Sequence, residues 1–255
     1  MHLAADTPGT ITRDQIDALL REAVGAVAGV NDHHPWSWHS DATTIELRAD
    51  LPPVTDPWRR TLLVDGGAVL LNLRMLSRGL GVHPVVGLLP DPARRELVAT
   101  VKFEGQRPVT DQDRVLVAVM LAGPTKHVPT AGSAAGVTSR TLISAMRRAA
   151  KTEQAWLAAQ PMSSIAAETN QSAEPSGTAM IIGTVLDGSS AQLQAGQAAQ
   201  RVSLTAAVLG VPVKRERTLL CSDANRRAVR DLLGGGLWPQ VLLHIDPDHS
   251  TASVA

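Results

Sequence analysis

The stretch from Val30 to His39 gathers the residue types most able to do chemistry: Asn31, Asp32, His33, His34 and His39 stand around Pro35, Trp36 and Trp38. It holds three of the eight histidines and two of the five tryptophans, in a chain with one Phe and no Tyr. Pro35 fixes its own φ and pushes His34 towards an extended conformation, so the polar cluster is expected on a rigid, non-helical backbone. Trp36 and Trp38 share one face if that backbone is extended. Rigid loops beside a strand are where binding groups are usually placed. The same residues also read as two indole core anchors with polar neighbours capping a turn, and the residues alone leave both readings open.

Other motifs narrow the chemistry. The histidines, with Asp32 and Asp41, supply donors that zinc or iron accept, but no HExxH or facial-triad spacing accompanies them, so no metal is expected. Asp65-Gly66-Gly67 lacks both GxGxxG and the P-loop lysine. Gly234-Gly235-Gly236 gives backbone freedom that would serve either a ligand's close approach or a helix C-cap. Cys221 has no CxxC partner and no base beside it in sequence, and no serine sits in a GxSxG elbow.

Composition sets the class. The chain has 255 residues, 44% of them hydrophobic, enough for a real core in a single domain over 1–255. Twenty-four basic residues balance twenty-four acidic ones, and basic patches interleaved with aromatics are missing, so nucleic acid is not an expected partner. A single cysteine excludes an intrachain disulfide. No apolar run approaches the roughly 20 residues a membrane helix needs. Met1 to Thr10 lacks the basic start and apolar core of a signal peptide, so a cytoplasmic location is expected.

The elements that must position these groups follow from spacing. Thr12-Arg13-Asp14-Gln15 reads as a capping box, and Ile16, Leu19, Leu20, Ala23, Val24 and Val27 then share a helical face. Strands are expected at Thr43–Ala49, Val82–Leu89, Leu97–Phe103, Thr178–Val185 and Val241–Ile245. Leu51 to Pro57 reads as loop. Asp65 to Leu80 is apolar nearly all round, which predicts a helix buried on most sides. Asp91-Pro92 predicts one or two helical turns, and Thr110 caps a helix through Met120. Helices are further expected over Ser139–Ala159, Gln192–Leu209 and Ser222–Leu233, with Val211–Leu220 extended but interrupted by Lys214-Arg215-Glu216-Arg217. Pro161 to Gly177 shows no periodicity and predicts a mobile or disordered loop.

One internal likeness stands out. Asp65-Gly66-Gly67-Ala68 opens a helix ending Leu80-Gly81-Val82, and Ala195-Gly196-Gln197-Ala198 opens another ending Leu209-Gly210-Val211, one residue shorter. Similar elements follow each. Two such helices could bury their apolar faces on each other, as in a duplication with repeats at about 12–126 and 138–246.

Taken together, Val30 to Trp38, the two apolar helices and the ending Leu232-Leu233-Gly234-Gly235-Gly236-Leu237-Trp238-Pro239-Gln240-Val241-Leu242-Leu243-His244 resemble the nitroreductase superfamily. More narrowly they are similar to its Acg-like branch, in which two repeats are fused in one chain. The resemblance implies an α+β fold, a central mixed sheet flanked by helices, with two repeats related by a pseudo-twofold axis. It implies FMN at the repeat interface, NAD(P)H as electron donor and a small-molecule acceptor. It carries cofactor-binding roles onto Asn31, Asp32, His34, Trp36, Gly236, Gln240 and His244, assigns no side chain as catalytic, and leaves the oligomeric state open beyond a fused pseudo-dimer.

Three departures accompany it. The family pattern before Pro-Trp is close to Pro-Ser-x-x-Asn-x-Gln, and the matching positions here are Ala28, Gly29, Asp32 and His34. Asp32 in place of an amide loses two donors and brings a charge. His244 stands where relatives place an arginine for the FMN phosphate, and an imidazole is a poorer clamp than a guanidinium fork. The chain is also shorter than the fused relatives around Pro161 to Gly177. Two functions follow as expectations: an FMN-dependent NAD(P)H oxidoreductase, or a non-catalytic relative that sequesters flavin or has lost it and serves storage or interaction.

Overall fold

The computed structural model describes residues 13–27, 36–41, 43–53, 56–122, 139–169 and 176–245. The first half runs α1 (Arg13–Gly25), β1 (Trp36–Ser40), β2 (Thr44–Ala49), α2 (Pro57–Gly79), β3 (Val82–Leu88), β4 (Leu97–Gln106) and α3 (Asp111–Ala122). The second runs α4 (Ser139–Thr152), β5 (Trp156–Pro161), α5 (Met162–Glu168), β6 (Thr178–Thr184), α6 (Ser189–Val208), β7 (Lys214–Glu216), a 3-10 turn at Leu219–Cys221, α7 (Asp223–Leu232) and β8 (Trp238–Ile245). The class is α+β, as the sequence predicts.

The single central mixed sheet does not form. The strands make two four-stranded sheets, ordered β1-β2-β4-β3 and β5-β6-β8-β7, and each pairing in them is antiparallel. The reason lies in the crossovers. Helix α2 joins β2 to β3, which run the same way, but β4 lies between them and pairs antiparallel with both. Helix α6 does the same for β6 and β7 around β8. Strands of like direction are therefore never neighbours. Both sheets share one strand order, and the second half adds α5 and α7 to it.

The two crossover helices pack on each other. Helix α2 is buried without a break from Thr61 to Leu73. Leu193 and Leu204 of α6 enter the core of the first half, and Val64 of α2 enters that of the second. The closest approach is backbone on backbone. A Cβ on Gly67 would fall on the Leu193 carbonyl oxygen and 2.9 Å from the Gly196 Cα; a Cβ on Gly196 would fall on the Val64 carbonyl oxygen and 3.0 Å from the Gly67 Cα. Each glycine thus meets the carbonyl one turn before the other. Setting Gly67, not Gly66, opposite Gly196 removes the one-residue difference in helix length expected from the sequence. Both helices then close at matching positions, Leu80 and Leu209, each followed by a left-handed glycine with φ of 78° at Gly81 and 75° at Gly210.

Four further expectations are corrected. Helix α2 starts eight residues earlier than its apolar run, because the Asp56 side chain accepts from Trp58 N with Pro57 in the first turn. A second Asp-Pro pair, Asp91-Pro92, makes only a turn, with Ala93 N on the Asp91 carboxylate, because the β3–β4 hairpin closes around it. Helix α4 stops at Thr152, since Gln154 turns left-handed at φ 56°, and Trp156 opens an edge strand where its indole is 51% exposed. The first part of the supposed loop after Pro161 is α5. Met162, Ile165 and Ala166 are buried at helical spacing, and Met162 and Ile165 pack with Leu219, Leu220, Val229 and Leu242, an apolar face too short to register in a composition rich in Ser, Ala and Thr. Residues 170–175 lie outside the described residues.

The glycine crossing is directly testable. Gly67→Ala and Gly196→Ala should each cost about 2 kcal/mol or more, because a backbone cannot yield as a side chain can. Gly25→Ala in α1, where nothing lies within 4 Å of the added carbon, should stay within about 0.5 kcal/mol of the parent. Urea unfolding of the three variants reads the difference.

Candidate functional site

The structure separates the site residues that the sequence suggests. Asn31, Asp32 and His34 lie outside the described residues. Trp36 opens β1 and is only 8% exposed, with its indole seated on Gly66 of α2, where a Cβ would collide with the ring. It is a core wedge between strand and helix. Gln240 and His244 are on β8, in the other sheet. Four residues of strand separate them, about 13 Å.

Gln240 is 3% exposed and fully engaged. Its Oε1 accepts from Arg60 Nη1, while its Nε2 donates to Thr184 Oγ1 at 2.9 Å and Asp187 Oδ1 at 3.1 Å. His244 pairs in register with Ala179 and Lys214 on the flanking strands, and its Nε2 meets the Ser176 carbonyl at 2.9 Å. Gly236 is exposed, in the turn between α7 and β8. The turn's conformational demand falls on Gly234 and Gly235, with φ of 81° and 77°, and not on Gly236.

What the sequence reading missed is a set of ion pairs across the seam between the halves. Arg60 of α2 donates to Asp187 at 3.2 Å, and the same carboxylate accepts from Arg226 of α7. Asp65 of α2 takes Arg215 on Oδ1 and Arg217 on Oδ2, the latter at 3.2 Å. Further along, Glu153 takes Arg74 of α2 on Oε2 and Arg201 of α6 on Oε1, each at 2.5 Å. Burial alone would raise the Glu153 carboxyl, but Arg74 and Arg201 outweigh it and hold it below the ordinary range. Asp187 behaves likewise: burial works against its charge, and Arg226, Arg60 and Gln240 prevail. Burial pushes the Arg60 and Arg215 guanidiniums down. Two signals could have found these pairs. Asp65 is a lone carboxylate in an apolar helix, which needs a partner. Lys214-Arg215-Glu216-Arg217, taken as an interruption, alternates and so sends Arg215 and Arg217 to one side.

Two concavities adjoin these ion pairs. A cleft of about 350 Å³ lies where the N-termini of α2, α6 and α7 meet, with Arg59 and Arg60 on its wall. Asp56, Asp187 and Asp223 line it too, so its cations are matched by carboxylates. The second, of about 130 Å³, lies on the seam: Val27, Ala68, Val119 and Met120 come from the first half, and Ser203, Leu204, Val211 and Arg215 from the second.

Of the residues to which the resemblance gives FMN contacts, Asn31, Asp32 and His34 lie outside the described residues, and Trp36, Gly236, Gln240 and His244 are not on the lining of either cleft. The seam cleft is well below the roughly 300–1,000 Å³ of ordinary ligand pockets. Trp36 is packed away from it, and the Gln240 amide is already engaged. His244 brings at most one charge, from a ring already facing the Ser176 carbonyl. Comparison with models of known families and with characterised proteins finds no match for this chain.

The Glu153 clamp predicts a pH dependence. A carboxyl depressed in the folded state contributes stability that is present above its unfolded value, about 4.3, and lost as pH falls through the folded one. Urea midpoints should therefore fall more steeply below about pH 4.3 for the parent than for Glu153→Gln. At pH 7 that variant should be about 3–5 kcal/mol less stable, because two buried guanidiniums lose their counter-charge.

Proposed function

We propose that this chain is a non-catalytic relative in a nitroreductase-like, two-repeat class, serving storage or interaction and not flavin redox chemistry. The common strand order of the two sheets and the reciprocal crossing at Gly67 and Gly196 support the repeat origin. The observation that carries the loss of redox function is Gln240. The amide that the resemblance assigns to cofactor is committed to Arg60, Thr184 and Asp187, as parts of the fold. Its N–H donors are committed in this way, and its oxygen already accepts from Arg60.

A second reading, the FMN-dependent NAD(P)H oxidoreductase, has one observation in its favour. The seam cleft draws on both halves, where the family holds FMN, and its wall includes Val27, just before the segment of Asn31, Asp32 and His34. A shared scaffold does not by itself establish a shared activity.

Flavin fluorescence and visible absorption separate the two readings. Added FMN should show no saturable quenching by the purified protein, and NAD(P)H should not be oxidised in its presence. Tightening of FMN by the double variant Asp32→Asn, His244→Arg, in which Gln240 is unchanged, would mean that a flavin pocket persists and that Gln240 does not decide its loss. Saturable binding by the parent, with flavin-dependent NAD(P)H oxidation, would establish the oxidoreductase instead.

A further inference from the structure

The seam cleft has a size and polarity of its own. At about 130 Å³ it is close to the cavity of about 150 Å³ that takes up benzene, so one small ring or a branched chain of similar bulk would fill it. Val119 and Met120 of α3 face Leu204 of α6 and Val211 across it, a largely aliphatic wall. Arg215 and Ser203 supply polar groups on the same lining.

Asp65 gives one oxygen to Arg215 and the other to Arg217, so one carboxylate faces two guanidiniums. The Glu216 carboxylate is engaged locally, accepting from Thr218 N and Oγ1 and from Leu219 N. Arg215 uses one of its five N–H donors on Asp65. A guanidinium so placed, beside an aliphatic cleft, is a site for an anion with an apolar body.

The geometry points to a binding site for a small monocarboxylate of benzoate size, its apolar end between α3 and α6 and its carboxylate on Arg215, with Ser203 as a second donor. The inference rests on the reading above only in giving the cleft to such an acid and not to flavin.

Calorimetric titration of the purified protein with sodium benzoate tests it, with benzamide as the uncharged match. Benzoate should bind at one site per chain, and benzamide at least about tenfold more weakly, the usual consequence of losing a charged hydrogen bond. Ser203→Leu fills the cleft without touching an ion pair and should abolish benzoate binding with the circular dichroism unchanged. The paired variant Asp65→Asn, Arg215→Gln should bind benzoate no better than benzamide; Ser203→Leu carries the test if that pair does not fold. No benzoate binding by the parent, equal binding of acid and amide, or undiminished binding by Ser203→Leu would each overturn the site. Flavin fluorescence of the same samples keeps the two ideas apart. FMN binding overturns the cofactor-free reading, whereas failure of benzoate in flavin-free protein overturns this one.

Discussion

The architecture depends on two helices touching through their backbones. Gly67 and Gly196 leave no room for even a methyl group between α2 and α6. That closeness decides what surrounds it. Helix α2 cannot keep a wet face, since α6 covers one side and the first sheet, α1 and α3 cover others. The apolar character of its sequence follows from this. Both sheets lie outside the helix pair, and each sheet's core borrows residues from the other half's helix.

Among the described residues, charge in this seam stands opposite charge. Asp65, Glu153, Arg201 and Arg226 are all nearly buried, and each is matched by a partner from a different element. Buried pairs contribute little net stability against apolar replacements, because desolvation offsets most of their attraction. Their effect is on register. Arg60, Asp65 and Arg74 sit along α2 and meet acceptors or donors in the second half, so a slide of one helix past the other would break all three contacts. The same demand explains the fate of Gln240. An amide in that position is worth more to Arg60 and Asp187 than it could be to a ligand.

Much of the fold was legible in the sequence because periodicity reports burial directly. The buried helix, most strands and the Gly81 and Gly210 stops could be read from residue order alone. Sheet composition could not, because strand adjacency depends on β4 and β8 inserting between strands that α2 and α6 connect. Helix α5 escaped notice since three apolar residues in seven do not stand out from an Ser/Ala-rich background. The candidate site was the least legible part. Trp36, Gln240 and His244 have the right types, but type does not reveal whether a side chain faces a cavity or a neighbour. Gly66 shows this well: its missing side chain makes room for the Trp36 indole.

The arginine–carboxylate contacts across the seam have a consequence for how the chain can change over generations. Asp65 and Arg215 stand 150 positions apart and share one hydrogen bond, as do Arg74 and Glu153 at 79. A replacement on one side leaves a buried charge stranded on the other, so such positions can drift only in concert. The two halves are thereby a single unit of inheritance. Recombination that exchanged one half for a relative's would inherit mismatched charges at each of these crossings.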